Sequence, residues 1–277
     1  MKLETVAGKR VLVTGAAMGL GRLFAETAVR EGADAVVLWD VNELALRETA
    51  AQLTALGGKV HSHVVDVSSQ DSIREAAEAV RKEIGGIDIL VNNAGIVRGN
   101  TYFWETENRA DIDKTMAINS LAPMYVALEF LPGMVAGAGQ ARVLNIASSA
   151  GLVANPRMAV YAASKWAALG WSDSVRLELE QAGHDHVKVT TVCPTYINTG
   201  MFDGAKGFLF TPILEQTEVV ETSWAEMKAG GGERGGDEDF AAVDDDRLGQ
   251  DDRPGRRTGQ TLIQRGQPLV GECAGVV

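Results

Sequence analysis

Tyr161 and Lys165 stand four residues apart in a run, Tyr161-Ala162-Ala163-Ser164-Lys165, that reads as helix. At that spacing the two side chains share one helical face. An ammonium beside a phenol favours the phenolate and draws the tyrosine pKa down from its ordinary value of about 10. A tyrosine so perturbed serves as a general acid or base. The pair alone also reads as a half-buried ring beside a solvated lysine, so its meaning rests on what the rest of the chain brings to it.

The elements that must position the pair begin with a short apolar strand over residues 9–14. It runs into Gly15-Ala16-Ala17-Met18-Gly19-Leu20-Gly21. A helix over about 22–31 follows, then a second apolar run over 35–39 that ends at Asp40. Strand, glycine turn, helix, strand and acid together make a dinucleotide-binding unit. Gly15 allows the tight turn. Gly19 and Gly21 let backbone approach a pyrophosphate and let helix pack on strand. Met18 and Leu20 share that turn, which opens a helix whose free N–H groups face the phosphates. Asp40 closes the second strand, where a carboxylate accepts hydrogen bonds from adenosine ribose hydroxyls and repels a 2′-phosphate. Val41 follows it and the turn holds no basic residue before Arg22, so the pattern favours NAD over NADP.

Further along, a helix over 42–56 carries Leu44, Leu53 and Leu56 and stops at Gly57-Gly58. Residues 59–67 read as a third strand closing on Asp66-Val67, with His61 and His63 on one face. With no third ligand suggested, these read as edge or surface histidines. Ser68 or Ser69 caps a helix over 68–84, and a fourth strand over 87–91 ends in Asn92-Asn93-Ala94-Gly95. A long helix over 111–131 holds Asn119, and Pro123 inside it permits a kink. A fifth strand over 142–147 leads to Ser148-Ser149, the helix over 160–180 carries Tyr161 and Lys165, and a sixth strand over 187–192 precedes Cys193-Pro194. This alternation predicts an α/β fold: a doubly wound parallel sheet (Rossmann fold) with helices on both faces, in a single domain over residues 1–228. Gly15, Asp40, Asp66, Asn93, Ser148 and Pro194 all fall at strand C-termini, where one site would gather them.

The totals agree with this reading. A hydrophobic fraction of 45% supports a sizeable core. The net charge of -11 argues against nucleic acid as a partner. Two cysteines, Cys193 and Cys273, give no disulfide framework or metal-ligand spacing, and Cys193 reads as a small buried hydrophobe. Residues 1–9 are polar, and no apolar run approaches ~18 residues. The expectation is a cytoplasmic protein with no membrane span.

These motifs resemble the short-chain dehydrogenase/reductase family. The matching residues are Thr14-Gly15, Gly19 and Gly21, then Asn92-Asn93-Ala94-Gly95, Asn119, Ser148, Tyr161 with Lys165, Pro194 and Thr199. The stretches around Gly19–Ala25, Leu38–Asn42 and Cys193–Phe202 are similar to the branch of retinol dehydrogenases and lipid-associated hydroxysteroid dehydrogenases. That branch interconverts apolar secondary or allylic alcohols and their carbonyls. Its animal members carry a hydrophobic N-terminal anchor that residues 1–9 do not resemble, so a soluble relative is implied.

The resemblance implies that Tyr161 exchanges the proton with the substrate oxygen while hydride passes between carbinol carbon and nicotinamide. Lys165 lowers the Tyr161 pKa and holds the nicotinamide ribose. Ser148 steadies the developing alkoxide, and Asn119 binds a water that links Lys165 to solvent. Asp66 and Val67 hold the adenine. Asn93, Ala94 and Gly95 pack along the adenosine ribose. Pro194, Ile197 and Thr199 fix the nicotinamide. Structural roles for the same residues are a turn cap at Ser148, a back-bonded helix residue at Asn119 and a strand-end cap at Asp66. No metal is implied, and a homodimer or homotetramer is.

Residues 200–214 include Met201, Phe202, Phe208, Leu209, Phe210, Ile213 and Leu214 and read as an apolar lid, which would favour an apolar alcohol or carbonyl substrate. Ordinary core packing or a subunit contact would use the same residues. From residue 229 the composition changes. About one residue in five is glycine there, against about 7% in general, so residues 229–277 read as a largely disordered tail with a short strand within 261–270. The abrupt loss of periodicity suggests translation in a shifted frame, which would put the last strand and the subunit contact in doubt. Three functions compete: an NAD-dependent alcohol dehydrogenase, a carbonyl reductase on another ketone, and a dinucleotide-binding sensor without chemistry. Retention of both Tyr161 and Lys165 speaks against the last.

Overall fold

The computed structural model describes residues 2–195, 197, 214–230 and 240–241. In chain order the elements are β1 (Arg10–Thr14), α1 (Gly19–Arg30), β2 (Ala35–Asp40), α2 (Glu43–Ala55), β3 (Val60–Val64), α3 (Gln70–Ile84) and β4 (Ile89–Asn92). They continue with α4 (Arg109–Met116), α5 (Ala122–Ala136), β5 (Ala141–Ile146), α6 (Ala159–Gln181), β6 (Val187–Val192), α7 (Gln216–Ala229) and β7 (Phe240–Ala241). The strands pair in parallel in the order β3-β2-β1-β4-β5-β6-β7. The order reverses between β1 and β4, and a ligand crevice opens at such a switch point.

The central strands β1, β2 and β4 are nearly continuous apolar runs because both faces of the sheet are covered. Successive residues feed opposite layers. Val11, Val13, Val36, Leu38, Ile89 and Val91 pack with Phe24 and Ala28 of α1 and with Val219, Trp224 and Met227 of α7. Leu12, Val37, Trp39, Leu90 and Val143 pack with Ile73 and Val80 of α3, Val126 and Phe130 of α5 and Leu179 of α6. The α/β doubly wound architecture is the one expected.

Several boundaries differ from expectation, each for a local reason. Helix α1 starts at Gly19, inside the glycine turn, so its first N–H groups lie at the end of β1. In α2, Leu44 is 71% and Leu56 48% exposed, while Leu46 and Thr49 are 2% exposed. Asn42 caps the helix by accepting from the Ala45 N–H, which sets the phase that turns Leu46 and Leu53 inward. Strand β3 stops at Val64 because Asp66 begins a turn, its Oδ1 accepting from the Ser68 N–H and Oγ. Ser69, not Ser68, caps α3. His61 and His63 lie on this edge strand, both within 3.3 Å of Glu83 Oε2 on α3. Among the described residues no group of three or more histidine, cysteine or acidic side chains is arranged to hold a metal.

The long helix expected over 111–131 is three pieces. A π turn at Ala117–Leu121 separates α4 from α5. Pro123 has no N–H to give the carbonyl of Asn119 four residues earlier, so the ordinary ladder is interrupted there. The stretch Arg109–Ala136 is also long and apolar enough to cross a membrane, an exception to the sequence expectation. In this fold Val126, Phe130 and Met134 are buried against the sheet. At the far edge, Phe240–Ala241 pairs with Thr191–Val192 of β6 as a two-residue seventh strand. The expected strand within 261–270, Thr199 and all of the lid expected over 200–214 except Leu214 lie outside the described residues; Leu214 itself is buried in the core.

Candidate active site

The glycine turn is tied to β4 through Thr14. Its Oγ1 accepts from the N–H groups of Asn93 and Ala94 at 3.0 and 3.1 Å. Asn93 Nδ2 donates to the carbonyls of Thr14 and Gly15 at 3.0 and 3.1 Å. Gly15 has φ +65°, and a Cβ there would lie 2.9 Å from Ala94 Cα. Only glycine fits both the conformation and the approach. Asp40 closes the other side: Oδ2 accepts from the Ala17 N–H and Oδ1 from the Asn42 N–H, each at 2.9 Å.

Helix α6 is fixed by buried polar contacts. Asn92 Nδ2 donates to Asn145 Oδ1 at 2.9 Å, Asn145 Nδ2 to Ser172 Oγ at 2.8 Å, and Ser172 Oγ to the Ala168 carbonyl at 2.7 Å. The 3-10 turn at Ser149–Gly151 lies directly on α6, since a Cβ on Gly151 would lie 2.9 Å from the Lys165 carbonyl. Asn119 completes the frame. Its Oδ1 accepts from the Ile96 N–H and its Nδ2 donates to the Ile96 carbonyl, both at 2.8 Å, and Nδ2 also donates to Ser164 Oγ at 3.1 Å.

Within this frame Tyr161, Lys165 and Ser148 are 6, 5 and 9% exposed. Burial raises the Tyr161 pKa above 10.0, and a hydrogen bond with the Ser148 side chain offsets part of that rise. Ser148 Oγ also caps its 3-10 turn by accepting from the Ala150 N–H at 3.2 Å. The Lys165 ammonium lies 5.8 Å from the Tyr161 ring centroid and donates to the Ile146 carbonyl at 3.0 Å. Burial lowers its pKa to about 8. The expected downward pull of Lys165 is not what governs the phenol in the chain alone: its own burial is the largest cause and acts upward.

A cavity of about 670 Å³ opens at this point. Of the residues singled out in the sequence, Gly15, Met18, Gly19, Leu20, Asp40, Asp66, Val67, Asn93, Ala94, Gly95, Ser148, Tyr161, Lys165, Pro194 and Ile197 line it. Gly21 does not; its missing Cβ would fall 2.0 Å from the Gly15 carbonyl oxygen, so it is there for helix-on-strand packing. Asn119 lies behind the wall. Asp66 lines the cavity and is also the strand-end turn residue, its carboxyl held below the usual range by its bond to the Ser68 hydroxyl.

Sequence reasoning missed Thr14 as a tie, and it missed the wall residues Ile96, Val97 and Arg98 that follow the Asn-Asn-Ala-Gly motif. Cys193 is the small buried residue expected, packed with Ala147 and Leu169, and it has polar neighbours besides. That thiol is 3% exposed, accepts from the Ser148 backbone N–H and faces Lys165, and burial raises its pKa to about 11. Its position between β6 and Pro194 was the available signal.

The residues present fit a dinucleotide. The α1 N-terminus has no side-chain cap and no acid in its first turn, so its N–H groups are available to a pyrophosphate. Val65 and Val67 offer apolar surface beside Asp66, and Asp40 offers carboxylate oxygens at the end of β2.

A doubly wound sheet with this glycine turn and a buried Ser148, Tyr161 and Lys165 group defines a class of nicotinamide-dependent oxidoreductases. Residues 9–207 match the short chain dehydrogenase family, and the chain belongs to it. It is 40% identical over 217 residues to estradiol 17-beta-dehydrogenase 11 of Pongo abelii, covering 78% of this chain and 71% of that one. It is also 40% identical over 220 residues to epidermal retinol dehydrogenase 2 of Mus musculus, covering 78% and 70%. A short chain dehydrogenase/reductase from Burkholderia phymatum in complex with NAD is 29% identical with TM-score 0.73, covering 81% of this chain and 88% of that one. A metagenomic short-chain oxidoreductase in complex with NADP is 30% identical with TM-score 0.69, covering 80% and 91%. The chain is an NAD(P)-dependent alcohol oxidoreductase of the short-chain family.

Proposed function

We propose that the chain oxidises apolar secondary or allylic alcohols with NAD, using Tyr161 as the general base. The observation that carries this reading is the buried phenol, hydrogen-bonded to Ser148 and sharing a helical face with the Lys165 ammonium. Its relatives named for estradiol and retinol support an apolar substrate, as does the apolar wall of Ile96, Val97 and Ile118.

Asn93, Ala94 and Gly95 would run along the dinucleotide, Asp40 would take the adenosine ribose, and Pro194 and Ile197 would border the nicotinamide. When bound, the oxidised nicotinamide supplies a hydride acceptor and a positive charge beside the phenol. Ser148 Oγ donates a hydrogen bond to the substrate oxygen and orients it toward Tyr161 Oη. The phenolate takes the hydroxyl proton as the carbon–oxygen double bond forms. Lys165, with its pKa near 8, holds or yields a proton close to neutral pH and so buffers Tyr161 between turnovers. In the carbonyl-reducing direction the same groups run in reverse, with Tyr161 as acid. The Asn119 side chain is committed to Ile96 and Ser164, so in this reading the residue holds the wall, and any water it binds is held through its carbonyl. Asp40 supports NAD over NADP, while complexes with each are known in the family. A homodimer or homotetramer in the cytoplasm completes the proposal.

The test is NADH formation on retinol, a hydroxysteroid and a medium-chain secondary alcohol, with NAD and with NADP, beside a Tyr161→Phe control. NAD-dependent turnover lost in the control supports the reading. A folded, NAD-binding chain that turns over none of them refutes it.

A further inference from the structure

Two irregular segments meet beside the Tyr161 end of the cavity. One follows β4 and brings Val97 and Arg98 to the lining. The other precedes α6 and brings Met158 against the same cluster: Val97 and Met158 both pack on Ala150, Tyr161 and Ala162. Farther from the core these segments also meet through a cation–π contact. The Arg157 guanidinium lies 4.8 Å from the centroid of the Tyr102 ring, whose other partner is Trp104, stacked at 4.9 Å with an interplanar angle of 6°.

Three observations mark this contact as built. Arg157 has φ +66°, the only positive φ outside glycine among the described residues. Such a conformation is costly for a residue with a Cβ and persists where surrounding contacts hold it. No ion pair is formed by Arg157 among the described residues, so the aromatic face is what its charge meets. Finally, Phe103 and Trp104 are 59 and 80% exposed, so the aromatic turn is held by its neighbours and not by burial in the core.

We propose that Tyr102 and Arg157 form a clasp that closes the substrate-side wall and sets how tightly a large apolar substrate is held. It rests on the alcohol-dehydrogenase reading above. Both are positioning residues: they act through Val97 and Met158, which touch the Tyr161 cluster, and leave the proton-transfer groups unchanged. A small alcohol occupies the Ser148 and Tyr161 end alone and does not feel the clasp.

Two measurements on the full chain test this. Amide hydrogen exchange compares wild type with Arg157→Gly, which keeps the backbone conformation and removes the cation, and with Tyr102→Leu. Loss of an exposed cation–π contact should speed exchange in residues 96–104 and 152–158 by roughly two- to fivefold in either variant. Because both remove one contact, the double variant should exchange no faster than the singles. Kinetics with NAD then use a long secondary alcohol (a decanol) and a short one (a butanol). KM for the decanol should rise about as much as exchange, while kcat, KM for NAD and KM for the butanol stay put. Arg157→Lys, which keeps the cation, should restore most of the decanol affinity. Unchanged exchange in either segment overturns the clasp, as does a fall in kcat or equal KM changes for both alcohols. A wild type that oxidises neither alcohol, with exchange accelerated in both variants, would overturn the clasp's role in substrate binding and leave only a brace between the two segments; the alcohol reading itself stands or falls on the retinol and hydroxysteroid assays above.

Discussion

Asp40 joins cofactor choice to local structure, and Asp40→Asn separates the two. Both carboxylate oxygens are in use, Oδ2 by the Ala17 N–H and Oδ1 by the Asn42 N–H. An asparagine keeps the shape but has one amide oxygen, so one of these N–H groups meets an NH₂ instead of an acceptor. Leaving a partly buried donor unpaired costs about 1–3 kcal/mol. In a domain of this size each kcal/mol moves Tm by about 2–4 °C, so the variant should melt roughly 2–12 °C lower without cofactor. The second effect is electrostatic. A 2′-phosphate about 5 Å from a carboxylate, at an effective dielectric of about 20, feels about 3 kcal/mol of repulsion per pair of unit charges. Removing the charge lifts that repulsion and weakens the acceptor offered to the NAD ribose by about 1 kcal/mol. The NAD-to-NADP affinity ratio should therefore fall by roughly two to three orders of magnitude. Fluorescence titration with NADH and NADPH reads the ratio, and thermal unfolding reads the structural cost separately. A folded variant whose ratio moves less than about threefold would refute the assignment of Asp40 as selector.

Other expected outcomes follow the same geometry. Tyr161→Phe should lower kcat by about 10²–10⁴, the usual worth of a general acid/base, with NAD affinity within about threefold; intact turnover sinks the role. Lys165 has a pKa near 8 in the fold against 10.5 in an open chain. Between those values the unfolded chain binds the extra proton, so this group makes stability rise as pH climbs from about 8 to 10.5. The difference in unfolding free energy between wild type and Lys165→Met should show that rise. Subtracting the variant matters, because Cys193, raised from 9.0 to about 11, works in the opposite direction between those pH values. Gly21→Ala on an ordinary helix would add about 1 kcal/mol of stability. Here its Cβ would fall 2.0 Å from the Gly15 carbonyl oxygen, so the variant should lose several °C in Tm and bind NAD more weakly. A higher Tm would show that the turn yields.

The sheet was legible because β1, β2 and β4 at its centre are buried on both faces and read as nearly unbroken apolar runs. The cavity was legible because its residues fall where those runs stop. What escaped were properties set by more distant neighbours. Thr49 is buried because its hydroxyl donates to the Ala17 carbonyl at 2.8 Å, a tertiary partner that no helical period announces. Pro123 signalled a break in the long helix, but not the π turn at Ala117–Leu121. Spacing gave Tyr161 and Lys165 one face, yet the pKa of each is governed first by burial. Asn93 was expected beside the ribose; it lines the cavity while its amide is spent on the carbonyls of Thr14 and Gly15.

The pair of hydrogen bonds between the Asn119 amide and the main chain of Ile96 has a further consequence. Beyond β4 the backbone has left its neighbouring strand, and a helix side chain offers it the donor and acceptor that a strand would have offered. Aspartate at Asn119 lacks the donor, glutamine is one methylene too long, and leucine supplies neither group. The position is thus answerable to folding before it is answerable to chemistry. A lineage descended from this chain that gave up catalysis would be free to lose Tyr161, while Asn119 would still be needed to keep the cavity's wall standing.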